Sequence, residues 1–224
     1  MKGNQPNASK EQLTYVALAE TSLLVTTLLI HQDIPELYFP NQALISKLIF
    51  AAICLIGIVA GLAPSWCSFS GNSERRGTDG VAGHHPDCGC FTGHTVKLGG
   101  QVFCAGCSGL VIGASLALIG LVSGFYPFDA SFGLWFGALL VALGLAQHYI
   151  DLGSAWLHLL LNLVFVFGAW MMFEAIQLMN LSFLVSAYFL MVAVFWVFAR
   201  IRMSQWFHVG VCGGCTTDCM LRFE

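Results

Sequence analysis

Long apolar runs separated by short polar segments set the strongest limit on what this chain can fold into. The stretches at about 44–63, 103–124, 131–150, 155–177 and 181–199 each approach the roughly 20 predominantly apolar residues that a membrane-crossing helix needs. A sixth run, "LTYVALAETSLLVTTLLI" at 13–30, carries Glu20 in its middle. It either crosses with Glu20 facing a neighbouring helix or lies in the interface. Charged residues make up only 9% of the 224 residues and hydrophobic ones 57%, where soluble domains carry about 25% charge. The expectation is an all-α membrane protein: a single polytopic domain over 1–224, with a bundle of about six transmembrane helices, or five if the first is interfacial. The lipid bilayer is then its first partner. A net charge of −3 without a basic cluster excludes nucleic acid, and the N-terminal run, broken by Glu20, does not read as a cleavable signal.

The basic residues orient such a bundle. With six crossings, the segments 1–11, 64–102, 151–154 and 200–224 fall on one side. They hold Lys2, Lys10, Arg75, Arg76, Lys97, Arg200, Arg202 and Arg222, eight of the nine Lys and Arg residues. The positive-inside rule makes that side cytoplasmic, both termini included. Lys47, the ninth, sits at the edge of the second run and can snorkel to the opposite interface.

Two polar segments on this side concentrate the sulfur and imidazole. The first, within the 64–102 loop and the run that follows it, is "HHPDCGCFTGHTVKLGGQVFCAGCSG" at 84–109, with four of the nine cysteines and three of the seven histidines. Residues 64–83 before it read as a flexible polar linker. "HTVKLGGQVF" places two short β-prone runs around Gly99-Gly100, a dipeptide suited to a two-residue hairpin turn. That register pairs Leu98 with Gln101 and Thr95 with Cys104, and so closes Cys88/Cys90 onto Cys104/Cys107. The geometry is that of a zinc-ribbon knuckle, a small cytoplasmic β-hairpin metal site. Cys88, Cys104 and Cys107 are the first three candidate ligands, with His84, His85 or Cys90 as the fourth. His94 falls opposite Ala105 and in a regular pleat points away from Cys104. Cys104 and Cys107 also open the third apolar run, where a helix start favours thiolates. The cytoplasmic side disfavours stable disulfides.

The second segment is the tail at 200–224, "HVGVCGGCTTDCMLRFE", which adds His208, Cys212, Cys215 and Cys219. Three thiolates at this spacing suit Zn²⁺ or an iron–sulfur cluster. Cys54, mid-run, reads as a small apolar packing residue. "AQHYIDLGSAWLH" places His148, Asp151 and His158 near the same face, as helix-end hydrogen-bonding groups or as support for the cysteine loop. Haem ligation by two of these histidines is disfavoured, because it requires them to face one cavity. Glycines four apart, such as Gly57/Gly61, Gly109/Gly113 and Gly133/Gly137, read as helix-packing positions.

The run "HHPDCGCF…GHTVKLGGQVFCAGCSGLVIGA" resembles a family of uncharacterised archaeal and bacterial multi-pass membrane proteins. These carry a Cys/His cluster, a hairpin and a C-x-x-C-[ST]-G-x-x-x-G segment entering a membrane helix. The resemblance covers Cys88, Gly99, Phe103, Cys104, Cys107, Ser108, Gly109 and Gly113, with His84 and His85 upstream. It implies a metal knuckle and supplies no reaction; the cysteine-rich tail lies outside it.

The functional expectation is an integral membrane protein with a cytoplasmic Cys/His site, structural zinc foremost, acting as an accessory or complex subunit beside other membrane or cytoplasmic proteins. Alternatives are an electron-transfer subunit holding an iron–sulfur centre and a membrane thiol–disulfide oxidoreductase.

Overall fold

The computed structural model describes residues 10–32, 40–62, 81–82, 89–147, 153–179 and 182–214, the side chains of 81, 82, 89, 212 and 213 excepted. The described residues form six α-helices: α1 (Lys10–Leu29), α2 (Gln42–Leu62), α3 (Ala105–Ser123), α4 (Ala130–Ala146), α5 (Ala155–Met179) and α6 (Phe183–Gly213). Five of them are long and apolar enough to cross a membrane. α1 is among the five despite Glu20, whereas α4, at 17 residues, is not. At 1.5 Å per residue α4 is about 26 Å long, just short of a hydrocarbon layer of about 30 Å. Its start is fixed by Asp129, whose Oδ1 accepts from the backbone N–H of Ser131 and Phe132 at 2.9 and 3.1 Å.

α5 is the axis of the bundle. α3 and α4 pack along it, α2 packs on α3, and α1 packs on α6 and α4. Close approach of α5 to its neighbours depends on glycine. A Cβ on Gly137 would meet the Gly168 carbonyl oxygen at 2.7 Å, and one on Gly168 would meet that of Gly137 at 2.7 Å, so α4 and α5 touch backbone to backbone. Gly109 and Gly113 do the same for α3 against Leu159, Asn162 and Leu163 of α5. The four-residue glycine spacing was therefore a true packing signal there, while Gly57 meets nothing within 4 Å. Trp196, Phe173, Phe189, Met171 and Met172 fill the core, and Trp196 Nε1 donates to Ala19 O and Ser22 Oγ, tying α6 to α1. Cys54 is buried in this core, as the sequence suggested. The outer faces stay apolar: Leu48, Ile56, Ile119 and Val122 are all exposed.

A three-stranded sheet sits at one end. β2 (Thr95–Leu98) and β3 (Gln101–Cys104) form the hairpin in the expected register, Leu98 opposite Gln101 and Thr95 opposite Cys104. Gly99 and Gly100 turn it at φ +56° and +84°, both positive, as a tight two-residue turn requires. The third strand, β1 (Val81–Ala82), pairs parallel to β3. The linker reading of 64–83 missed it, because two residues carry no periodicity. A 3₁₀ segment, Gly89–His94, precedes β2 and is kinked at Phe91. Phe91 is fully buried and anchors this segment to the bundle.

The larger departure concerns α6. The apolar run ends near 199, and 200–224 reads as a tail, yet the helix continues to Gly213. Met203 and His208 are buried along this extension, and the 3₁₀ segment packs against it. Packing against the 3₁₀ segment covers part of those last turns, so the end of the apolar run does not mark where the helix stops.

Candidate functional site

Strand β3 runs into α3 without a loop, and Cys104 is the joint. It is the last strand residue and the N-cap of α3, with φ −69° and ψ 119°. Its Sγ accepts the backbone N–H of Cys107 at 3.5 Å. A sulfur thus takes the place that a serine or aspartate oxygen holds at most helix starts. Gly106, between the two cysteines, is where three elements meet. A Cβ on it would stand 3.9 Å from Cys104 Sγ, 3.7 Å from Asn162 Nδ2 of α5 and 3.9 Å from Arg200 Nη2 of α6.

Arg200 entered the sequence reading only as an orientation charge. In the structure it is buried, lies over the Phe165 ring at 5.6 Å and is within electrostatic reach of Cys107 and, less strongly, Cys104. Its Nε and the neighbouring Asn162 Oδ1 are buried without a hydrogen-bond partner among the described residues. Positive charge therefore bears on the sulfurs from the helix start and from a guanidinium. The spacing of buried residues on α6 carried a signal for this: Ala193, Trp196, Ala199 and Met203 line the inner face, and Arg200 falls on that stripe.

A chain of side-chain amides leads from the cysteines to a group of histidines. Asn162 Nδ2 donates to the His158 carbonyl one turn back and to Gln147 Oε1 at 3.2 Å. Gln147 Nε2 donates to Gly144 O at 2.6 Å, and its Oε1 also contacts His158 Nδ1 at 3.2 Å. His158 lies beside His94, ring centroids 4.3 Å apart, and His94 lies 6.3 Å from His208. Phe91 stands edge-on to His208 at 5.5 Å, and Phe207 tilts against His94 at 4.9 Å.

This arrangement revises the place of His94. A regular pleat would send it away from Cys104, but His94 ends the 3₁₀ segment before the strand begins, and its ring turns towards α5 and α6. His208 stands beside it on the helical extension. Cys90 is disulfide-bonded, and its partner is none of Cys54, Cys104 and Cys107. His84, His85, Cys88, Cys215 and Cys219, with His148 and Asp151, lie outside the described residues, as does the side chain of Cys212. Among the described residues no three His, Cys, Asp or Glu side chains stand together as one metal ion would need.

At the far end of α5 a second polar pair occurs. Lys47 Nζ lies 3.7 Å from Glu174 Oε2, so Lys47 turns to a carboxylate on α5. Tyr126 donates to Met171 O at 3.2 Å nearby.

No family model matches the chain, and no curated protein or solved structure matches it either.

Proposed function

We propose that this chain is a multi-pass membrane protein holding Zn²⁺ at a thiolate knuckle on the cytoplasmic end of its bundle, and that it serves as an accessory or complex subunit. Cys104 and Cys107 are two of the ligands; Cys88 and one of His84 and His85 supply the rest. The observation that carries this reading is the Cys104–Cys107 joint itself. Two sulfurs sit at a strand-to-helix corner, that of Cys104 accepting the backbone N–H of Cys107, with the buried Arg200 guanidinium within electrostatic reach of both. Metal-bound thiolates place net negative charge inside protein, and a buried guanidinium offsets it. The apolar outer faces and five long apolar helices support the lipid setting. Ligand exchange and docking by a metal-ordered loop are within reach of such a site; the geometry gives it no reaction of its own.

Elemental analysis with an optical spectrum, on protein purified without oxygen, tests the reading. Zinc near one equivalent, lost in the Cys104→Ser/Cys107→Ser double variant and retained in Cys54→Ala, is the expected result. Full zinc retention in the double variant would sink it, and iron with sulfide would replace it with electron transfer. Labelling of intact cells checks the orientation: an impermeant thiol reagent should not reach Cys88 or Cys215.

One observation favours a second reading, thiol–disulfide exchange. Cys90 is oxidised while Cys104 and Cys107 are not, within one short segment. Metal-free protein in which Cys104→Ser leaves the Cys107 thiolate to attack an added disulfide substrate, releasing one substrate thiol and trapping a mixed disulfide, would move this reading to the front.

A further inference from the structure

A polar side chain that faces lipid has no water to satisfy it, and most of those on α1 are satisfied within the helix. The hydroxyls of Thr14, Ser22, Thr26 and Thr27 donate to the carbonyl oxygens of Lys10, Ala19, Ser22 and Leu24, one turn back. Two neighbours depart from this pattern. Among the described residues Thr21 makes no hydrogen bond, and Glu20 makes neither a hydrogen bond nor an ion pair.

The rotation of α1 is fixed by Trp196, whose Nε1 donates to Ala19 O and Ser22 Oγ. Val16, Ala19, Leu23, Thr26 and Thr27 are buried on α1. Each residue turns the helix by about 100°, so Glu20 stands at the edge of that buried stripe and Thr21 on the opposite face. Glu20 is accordingly half-buried, and Thr21 is exposed beside exposed Ala17 and Leu24. Along the helix Glu20 lies about 10 Å from Leu13 and about 15 Å from Ile30, the two ends of the apolar run. At that depth a glutamate, shorter than the lysine and arginine side chains that snorkel, does not reach the interface.

The described basic residues in the helices are engaged elsewhere. Lys47 pairs with Glu174, Arg200 lies over Phe165 and Arg202 over Trp206. A second copy packed symmetrically on this face would set Glu20 against Glu20, like charge against like. The counter-charge that fits is therefore a cation from another protein. Ala17 and Thr21, small and four residues apart, let a neighbouring helix come close.

We propose that the Ala17/Glu20/Thr21 face of α1 docks a transmembrane helix of a second protein, one that carries a lysine or arginine near its middle, with Glu20 as the counter-ion and Thr21 as a hydrogen-bond partner. The inference rests on the bilayer setting proposed above and is independent of zinc. It gives the accessory-subunit role a contact surface.

The test reconstitutes the full chain in phosphatidylcholine vesicles with a synthetic Leu/Ala helix of about 20 residues bearing one central lysine and a dansyl group. Energy transfer from the protein's tryptophans to dansyl reports association. The lysine helix should bind about 5–30-fold more tightly than the same helix with a central leucine. Glu20→Leu, a change that lipid tolerates, should abolish that preference, and Thr21→Val should reduce it. Equal binding of the two helices by the parent chain, or an unchanged preference in Glu20→Leu, overturns the proposal. A dimer of the parent in detergent that Glu20→Leu dissociates would assign the face to a second copy and overturn it as well. Flotation with the vesicles separates the two readings: a chain that does not float overturns the bilayer setting and this proposal together, whereas one that floats without discriminating overturns the pairing alone.

Discussion

Gly109→Ala, a change of one methyl group, should weaken both the bundle and the cysteine joint. Gly109 lies two residues beyond Cys107, on the face of α3 pressed to α5. A Cβ there would stand 2.7 Å from Asn162 Cβ and closer still to the Leu159 carbonyl oxygen. Carbon atoms in contact settle at about 3.5–4.0 Å, so the shortfall is about 1 Å. The obstacle includes backbone, which cannot rotate aside, and α3 must move outward. Overpacking of this kind costs about 1–3 kcal/mol. Because Asn162 and Arg200 meet the chain at Gly106, one turn away, the displacement also loosens the surroundings of both sulfurs. Gly57→Ala is the matched control: nothing lies within 4 Å of a Cβ there, and the better helix propensity of alanine is worth up to about 1 kcal/mol. Thermal unfolding in detergent, followed by tryptophan fluorescence, should place Gly109→Ala several degrees below the parent, at roughly 2–4 °C for each kcal/mol in a chain of this length. Gly57→Ala should match the parent or exceed it. Equal melting of the two variants would refute the close-contact reasoning, since only the space around the methyl group distinguishes them.

Two further outcomes are expected at the opposite end of α5. Lys47→Met leaves the Glu174 carboxylate alone, with its Oε1 already unpartnered among the described residues. It should cost about 1–3 kcal/mol, below the figure for fully buried pairs because the Lys47 side chain is 36% exposed. Lys47→Met/Glu174→Gln should recover part of that in the same melting assay; a double variant no better than the single one would argue against the pair. Tyr126→Phe should cost about 1 kcal/mol through the lost bond to Met171 O. Burial, and then the charges of Glu174 and Asp129, push the Tyr126 phenol up to about 12. The unfolded chain, with its phenol near the ordinary value of about 10, therefore loses the proton first, and stability falls as pH rises above that value. An ultraviolet titration should show one late tyrosine step that Tyr126→Phe removes.

What the sequence disclosed and what it hid divide by range. The hairpin was legible to the residue because its determinants are adjacent: two glycines able to take positive φ, flanked by β-prone residues in alternation. The helices were legible because each apolar run is a local count. Cys104 at a helix start was legible for the same reason. Arg200 was not, because its meaning depends on which way α6 faces, and a basic residue past the end of an apolar run reads as an interface marker. His94, His158 and His208 lie 64 and 50 residues apart in the chain, and only the packing of the 3₁₀ segment between α5 and α6 brings them together. Their proximity is a property of the tertiary fold, with no counterpart in spacing.

The continuity of β3 with α3 has a mechanical consequence. With no loop between them, Cys104 is the fulcrum of a stiff lever. The 19 residues of α3 make an arm of about 28 Å at 1.5 Å per residue, reaching most of the way across the bundle. A tilt of about 5° at the sulfur end moves the far end by about 2.5 Å over such an arm. Whatever grips Cys104 on one side of the molecule thereby sets the position of Gly124 and Tyr126 on the other.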